Sequence, residues 1–384
     1  MRKITIITIF LLNLFVFCFI LFYPPNGAKS MERKGWNRLK KLYFTPRPDL
    51  IVGTCSSEPN GSIRFWSTDG GELKEVLYLG KGEWATSLAV SNDGCLIVVG
   101  LLAKNQIVLY SLKENRWLWK VNWVEKGLVG NPIRFTPDDR KLVVLGARNI
   151  VTYDAKTSTI LQRLEDSKGF SGGFPNDRTR NHAISLSARY GAFWQGYIEH
   201  DEGWWSSRNI WVLVLDIETG KIVAKQGKIQ EKYKNCSATF TPDEKGVVLG
   251  SMDGYMRVWS IADQRVVRRW RAYGAGEEPL PFEEMPFPNS IDSMTFSPEG
   301  RHLATMGHLK GGFNIRIWDY SSNKLIHEFV DVISSSLPMC SGYPMAFSPE
   351  GKYFAFERQG KLCLYDVQTW QEKWCVPSWP EGRK

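Results

Sequence analysis

The chain has 384 residues and a formal net charge of +9, from 49 Lys and Arg against 40 Asp and Glu. Eight of those cations and a single acid, Glu32, fall in the first 41 residues, which leaves 41 cations against 39 acids in the remainder. A surface that holds nucleic acid needs concentrated cations, so this balance excludes nucleic acid as the partner of the main body.

Residues 1–28 read as a membrane anchor or signal segment. Arg2 and Lys3 precede residues 4–23, an apolar run broken only by Thr5, Thr8 and Asn13. Twenty apolar residues suit one bilayer-crossing helix, and a cleavable signal has a shorter core. The exit, Pro24-Pro25-Asn26-Gly27-Ala28, lacks small residues at both positions a signal peptidase prefers. The expectation is an uncleaved single-pass anchor, with a secreted or periplasmic protein after cleavage as the alternative. Residues 29–39 form a basic linker. Across residues 29–41, Lys29, Arg33, Lys34, Arg38, Lys40 and Lys41 suit contact with anionic headgroups. Six cations after the segment favour a cytoplasmic body by the positive-inside tendency. Exported proteins also begin with a short basic start and an apolar run, so the side stays open.

From residue 40 to 377 a short apolar strand recurs seven times, each followed by a five-residue polar turn. The strands end at Trp66, Tyr110, Tyr153, Leu215, Trp259, Trp318 and Tyr365. A Ser or Thr, usually with Pro and an acid behind it, precedes each unit's second strand. It stands at Thr45, Ser91, Thr136, Ser187, Thr241, Ser297 and Ser348. Pro presets a tight turn and the hydroxyl bonds nearby backbone. The turn after the third strand ends in Gly71, Asn115, Gly220 or Asn323 in four units, which suits a left-handed backbone position. The seventh unit departs, with Trp370 there.

Four antiparallel strands repeated about every 45 residues is the signature of propeller blades. The residues Ser251-Met252-Asp253-Gly254-Tyr255-Met256-Arg257-Val258-Trp259, Ser297-Pro298-Glu299-Gly300 and Trp318-Asp319 resemble the WD-repeat family. The resemblance implies an all-β, seven-bladed propeller of four-stranded antiparallel blades, here preceded by one N-terminal hydrophobic helix and followed by a tail over 378–384. It also implies a protein-interaction role. The family's Gly-His pair is missing ahead of the first strands, so blade edges are expected to rest on apolar packing. All seven units are complete in chain order, so the ring is expected to close without sharing a blade between the termini.

Strand direction alternates. The turns from first to second and third to fourth strand (a–b and c–d) therefore share one face, and the b–c and d–a loops share the other. All the long segments, 165–181, 195–209, 271–290 and 331–343, belong to the second face. Binding residues gather on long loops over a rigid scaffold. Aromatic and Arg side chains anchor protein interfaces, which nominates Phe170, Arg178, Arg180, Trp204, Trp205, Arg208, Tyr273 and Phe282 for a protein or peptide partner.

Catalytic patterns lack the right setting. Gly169-Phe170-Ser171-Gly172-Gly173 matches a nucleophile elbow but lies between blades, followed by Pro175 rather than a helix. No phosphate loop or zinc helix motif occurs, and His200-Asp201-Glu202 needs further ligands to hold a metal. The chain is expected to be no enzyme, with no cofactor and no metal. Cys363 and Cys375 fall on neighbouring strands of the last blade, and with their register undefined, buried free thiols are the expectation. The chain thus reads as a membrane-tethered scaffold. The alternative is an exported propeller that binds a small molecule or glycan, possibly with turnover, using Trp204 and Trp205 as a stacking platform.

Overall fold

The computed structural model of the chain describes residues 38–46, 49–56, 60–123, 132–146, 149–165, 181–201, 204–229, 235–274, 289–309, 312–333 and 343–378. The expected N-terminal helix and most of the basic linker lie outside the described residues. Among those described, no helix is long and apolar enough to cross a membrane.

Among the described residues, twenty-eight strands form seven four-stranded antiparallel sheets, each from four consecutive strands. These are the blades of a seven-bladed propeller: Arg38–Lys81, Ala85–Asn122, Ile133–Glu165, Asn181–Ile229, Asn235–Arg271, Ile291–Ile333 and Met345–Pro377. Strand a is innermost, and the a strands of blades 7 and 1 lie against each other, so the ring closes without a shared blade. β-Branched and aromatic residues alternate in direction along each strand. They meet the next blade, which places the core between blades. Val52, Ile63 and Phe65 of blade 1 pack on Leu88, Ile97 and Val99 of blade 2. Leu42, Phe44 and Trp66 pack on Ala346, Leu362 and Leu364 of blade 7. Each such side chain contributes about 1.5–3 kcal/mol on burial.

The a–b turn is built on one hydroxyl. In blades 2 to 7 the N–H five residues on donates to it: Leu96 to Ser91, Lys141 to Thr136, Tyr190 to Ser185, Gly246 to Thr241, His302 to Ser297 and Tyr353 to Ser348. In blade 4 that residue is Ser185, not Ser187 as the sequence suggested. Ser187 stands two places on, where other blades carry Asp93, Asp138 or Asp243. There its N–H and its hydroxyl each donate to the Glu244 carboxylate of blade 5, at 2.6 Å. Asp139 of blade 3 takes the N–H groups of Asn92 and Asp93 in the same way. Neighbouring turns therefore latch together between blades 2 and 3 and between blades 4 and 5.

The c–d turn ends in a left-handed residue in all seven blades, at Gly71, Asn115, Ser158, Gly220, Gln264, Asn323 and Trp370. Trp370 does not depart after all. Its φ is 55°, and its indole stacks on His327 with centroids 5.6 Å apart. Favourable ring contacts offset the cost of a bulky residue there.

The closing seam repeats contacts found elsewhere in the ring. Trp374 Nε1 donates to Thr68 O at 2.8 Å, as Trp119 Nε1 does to Ala155 O between blades 2 and 3. Buried Glu357 accepts from Leu39 N and Ser378 Oγ, and Arg64 donates to Ser378 O. Cys363 and Cys375 are directly opposed on strands c and d of blade 7 and form a disulfide, with Cα atoms 4.1 Å apart. This corrects the expectation of free thiols: a register one residue away would have turned the two sulfurs to opposite faces. Cys55 and Cys95 stay as thiols, and burial pushes Cys55 up to about 12.

Candidate functional site

Of the four long segments, 165–181, 271–290 and 331–343 lie largely outside the described residues, and the one on blade 4 is not a loop. On blade 2 the b–c connection is tight, with the Glu83 carboxylate accepting from Ala103 N and Lys104 N. On blade 5 Asp253 accepts from Tyr255 N and pairs with Arg257. Blade 4 instead continues its strands b and c, Tyr190–Asp201 and Trp204–Asp216, well past strand a, which pairs only with Gly191 to Trp194. Residues 195–201 and 204–209 form a two-stranded ribbon, roughly 20 Å long at the usual rise per residue. The β-forming residues Tyr197, Ile198, Trp204 and Trp205 prolong the strands. Only Glu202 and Gly203 separate the paired Asp201 and Trp204.

Pairing in the ribbon runs Asp201 with Trp204, His200 with Trp205 and Ile198 with Ser207. It then steps to Tyr197 with Asn209, so Arg208 is the extra residue of a bulge. Bulges re-aim side chains next to binding sites. Three of the eight nominated residues, Trp204, Trp205 and Arg208, are thus brought together at the far end of one ribbon. Phe170, Arg178, Arg180 and Phe282 lie outside the described residues.

Tyr273 is a correction. It is fully buried, its hydroxyl donates to Thr305 O at 2.9 Å and approaches Asn314 O at 3.1 Å, and the Arg316 guanidinium lies over its ring at 4.8 Å. Burial raises its pKa well above the usual phenol value. Arg316 is held in turn by Glu328, at 2.8 Å. Trp318 Nε1 donates to Thr305 Oγ1, which completes a polar cluster between blades 5 and 6. Tyr273 therefore holds two blades together and presents nothing to a partner. Gly307 was the available signal: a Cβ there would meet the Tyr273 ring at 2.6 Å.

Among the described residues, the His, Cys, Asp and Glu atoms close enough to share a metal are those of Cys363, Glu372 and Cys375, and the two sulfurs are already bonded to each other. Arg38, Lys40 and Lys41 of the basic stretch stand on strand a of blade 1, Arg38–Phe44. No protein-family model matches the chain, and no curated protein matches it.

Proposed function

We propose that the protein is a non-catalytic interaction scaffold, a WD-repeat-like propeller tethered through residues 4–23. It captures a protein or peptide on the b–c/d–a face. The ribbon of blade 4 carries this reading. A lone two-stranded hairpin is marginal in water and leaves both edges open for pairing. One that ends in Trp204 and Trp205, with Arg208 at a bulge, has the residue types of an interface anchor. The WD-repeat resemblance and the lack of a catalytic motif in a workable setting point the same way, by analogy of fold.

The Cys363–Cys375 disulfide favours a propeller in an oxidising compartment outside the cytoplasm, because such bonds rarely persist in reducing ones. That also gives weight to the second reading, an exported propeller that takes a small molecule or glycan. Proximity labelling from a peroxidase tag after Lys384, in intact cells, tests both. A small set of proteins that disappears with Trp204→Ala/Trp205→Ala, at unchanged folded yield, supports the scaffold. Labelling of the exterior with no enriched protein supports the second reading and removes the first.

A further inference from the structure

Blade 5 departs from its neighbour at one cross-strand pair. On blade 6, strand c sets Arg316 directly opposite Glu328 of strand d, and Arg316 Nε donates to that carboxylate at 2.8 Å. Arg257 of blade 5 holds the matching place, two residues before the Trp of its strand, but the residue opposite it is Arg269. Like charges placed directly opposite each other cost stability. Arg271 follows two places on, opposite Tyr255. The Tyr255 ring gathers all three guanidiniums: Arg269 lies 3.9 Å from its centroid, Arg271 5.1 Å and Arg257 5.6 Å. Asp253 binds Arg257 and stands 3.9 Å from Arg269. Arg257 is buried, whereas Arg269 and Arg271 are exposed.

These residues share a sheet face with Trp259, two places beyond Arg257, which packs on Ala192, Trp194, Val212 and Val214 of blade 4. They stand at the b–c/d–a end, since Tyr255 opens strand c and Arg271 closes strand d. The ribbon of blade 4 begins just past Trp194, which pairs with Val212, and runs toward that same end, so the arginines stand at its foot. Among the described residues strand d is the last of its sheet and pairs with strand c alone. Cations on such an edge resist pairing with another basic edge, and the same cations attract an acidic one. Arg269 and Arg271 are two residues apart, the period with which side chains recur on one side of any extended chain. The Tyr255 ring also holds both guanidiniums in place, which lowers the side-chain entropy lost when a carboxylate binds.

We propose that this edge of blade 5 receives an extended acidic segment of the partner protein, which lies along strand d with carboxylates two residues apart facing Arg269 and Arg271. Main-chain pairing at the edge sets the register, and the guanidinium forks select the carboxylates. Forks fixed against a ring, in a corner between two blades, suit carboxylates in set places better than a fluid lipid surface. The inference rests on the protein-partner reading and names the chemistry of that partner.

The test uses the full-length chain in detergent and a fluorescent synthetic peptide that alternates threonine and glutamate. Two peptides serve as controls, one of the same composition with its glutamates in a block and one with glutamine for glutamate. Anisotropy should show saturable binding of the alternating peptide, weaker at higher salt. Arg269→Gln and Arg271→Gln should each weaken it about fivefold, and Arg271→Lys less. Arg265→Gln, the same loss of charge beyond the bulge at Val267, should leave it unchanged. Equal binding of the block peptide, or an equal loss in Arg265→Gln, overturns the site, as does binding unmoved by the Arg269 and Arg271 variants. Should Arg269→Gln fail to fold, exposed Arg271 decides alone. Capture of phosphatidylserine vesicles through the same arginines, without the peptide, gives the surface to lipid and overturns the proposal. So does peptide binding that begins only when Glu277, Glu278, Glu283 and Glu284 are changed to Gln, which assigns the edge to this chain's own acids. In cells, a partner set lost with Trp204→Ala/Trp205→Ala but kept in Arg269→Gln/Arg271→Gln overturns this inference alone and leaves the scaffold reading standing.

Discussion

Tyr273 is what an apparent interface anchor becomes when a glycine makes room for it. Its ring occupies the space that a Cβ at Gly307 would need, and its hydroxyl donates to Thr305 O with Asn314 O beside it. Gly307→Ala should therefore destabilise the propeller by about 1–3 kcal/mol through overpacking. Tyr273→Phe should cost about 1–2 kcal/mol through the lost hydrogen bonds. Denaturant titration checks both, and neither change should touch partner capture. Aspartates at the c–d turns set a pH limit. Asp319 accepts from Ser321 Oγ, Ser322 N and Ser322 Oγ, and these bonds hold its carboxyl well below the usual range. Asp154 and Asp366 are lowered in the same way, by the backbone N–H of Thr157 and Thr369. Because their folded pKa values lie below the unfolded value near 3.8, the unfolded chain binds more protons on acidification. The stability they contribute is complete above that value and is lost as pH falls through the folded values. Urea midpoints should be flat with respect to these groups above about pH 5 and fall below pH 4, less steeply in Asp319→Asn.

At the scale of elements, the turn and the strand pair decide roles that a residue's type leaves open. Ser185 and Ser187 are both hydroxyls in one a–b turn, yet only Ser185 accepts from the N–H that closes it. Ser185→Ala should cost about 1–2 kcal/mol, because it strands the Tyr190 N–H. Ser187→Ala removes a half-exposed latch to Glu244 and a long 3.2 Å acceptor for Arg189 N, and should cost less; thermal melts of the two variants, side by side, give the order. In the sequence the two serines compete for one motif. The choice is made by the strand register, with Ile184 opposite Gly191. The disulfide belongs to the same scale. It spans 12 residues and fastens the closing strand of blade 7, which also carries the Trp374 contact to blade 1. Loop-closure entropy puts its contribution at about 3 kcal/mol. Cys363→Ser/Cys375→Ser should lower stability by that order and raise hydrogen exchange at the blade 7 to blade 1 seam first.

For the whole molecule, orientation follows from two arguments that oppose each other. Six cations after the apolar run favour a cytoplasmic propeller, whereas the Cys363–Cys375 bond favours an oxidising compartment. The bond is the stronger argument, since exported chains also begin with a short basic start. A membrane-impermeant maleimide added to intact cells should therefore reach half-exposed Cys95, with Cys95→Ser as the control. Labelling only after lysis would place the propeller inside.

The sequence by itself determined the repeat, the number of blades, the left-handed turn positions and the division into a short-turn and a long-loop face. All of these rest on short-range physics, in which turn residues and alternating apolar residues act within one unit. It also brought Trp204, Trp205 and Arg208 together as candidates, because adjacent aromatics in an insertion are visible without a fold. Only the tertiary structure decided that this insertion is a ribbon, that Ser185 closes its turn, that Trp370 shares the left-handed turn, and that Cys363 faces Cys375. Likewise it buried Tyr273 between two blades. Each of these depends on strand register or on a neighbouring blade. A single-residue slip reverses a side chain's direction, and residues tens of positions apart meet only when the ring closes.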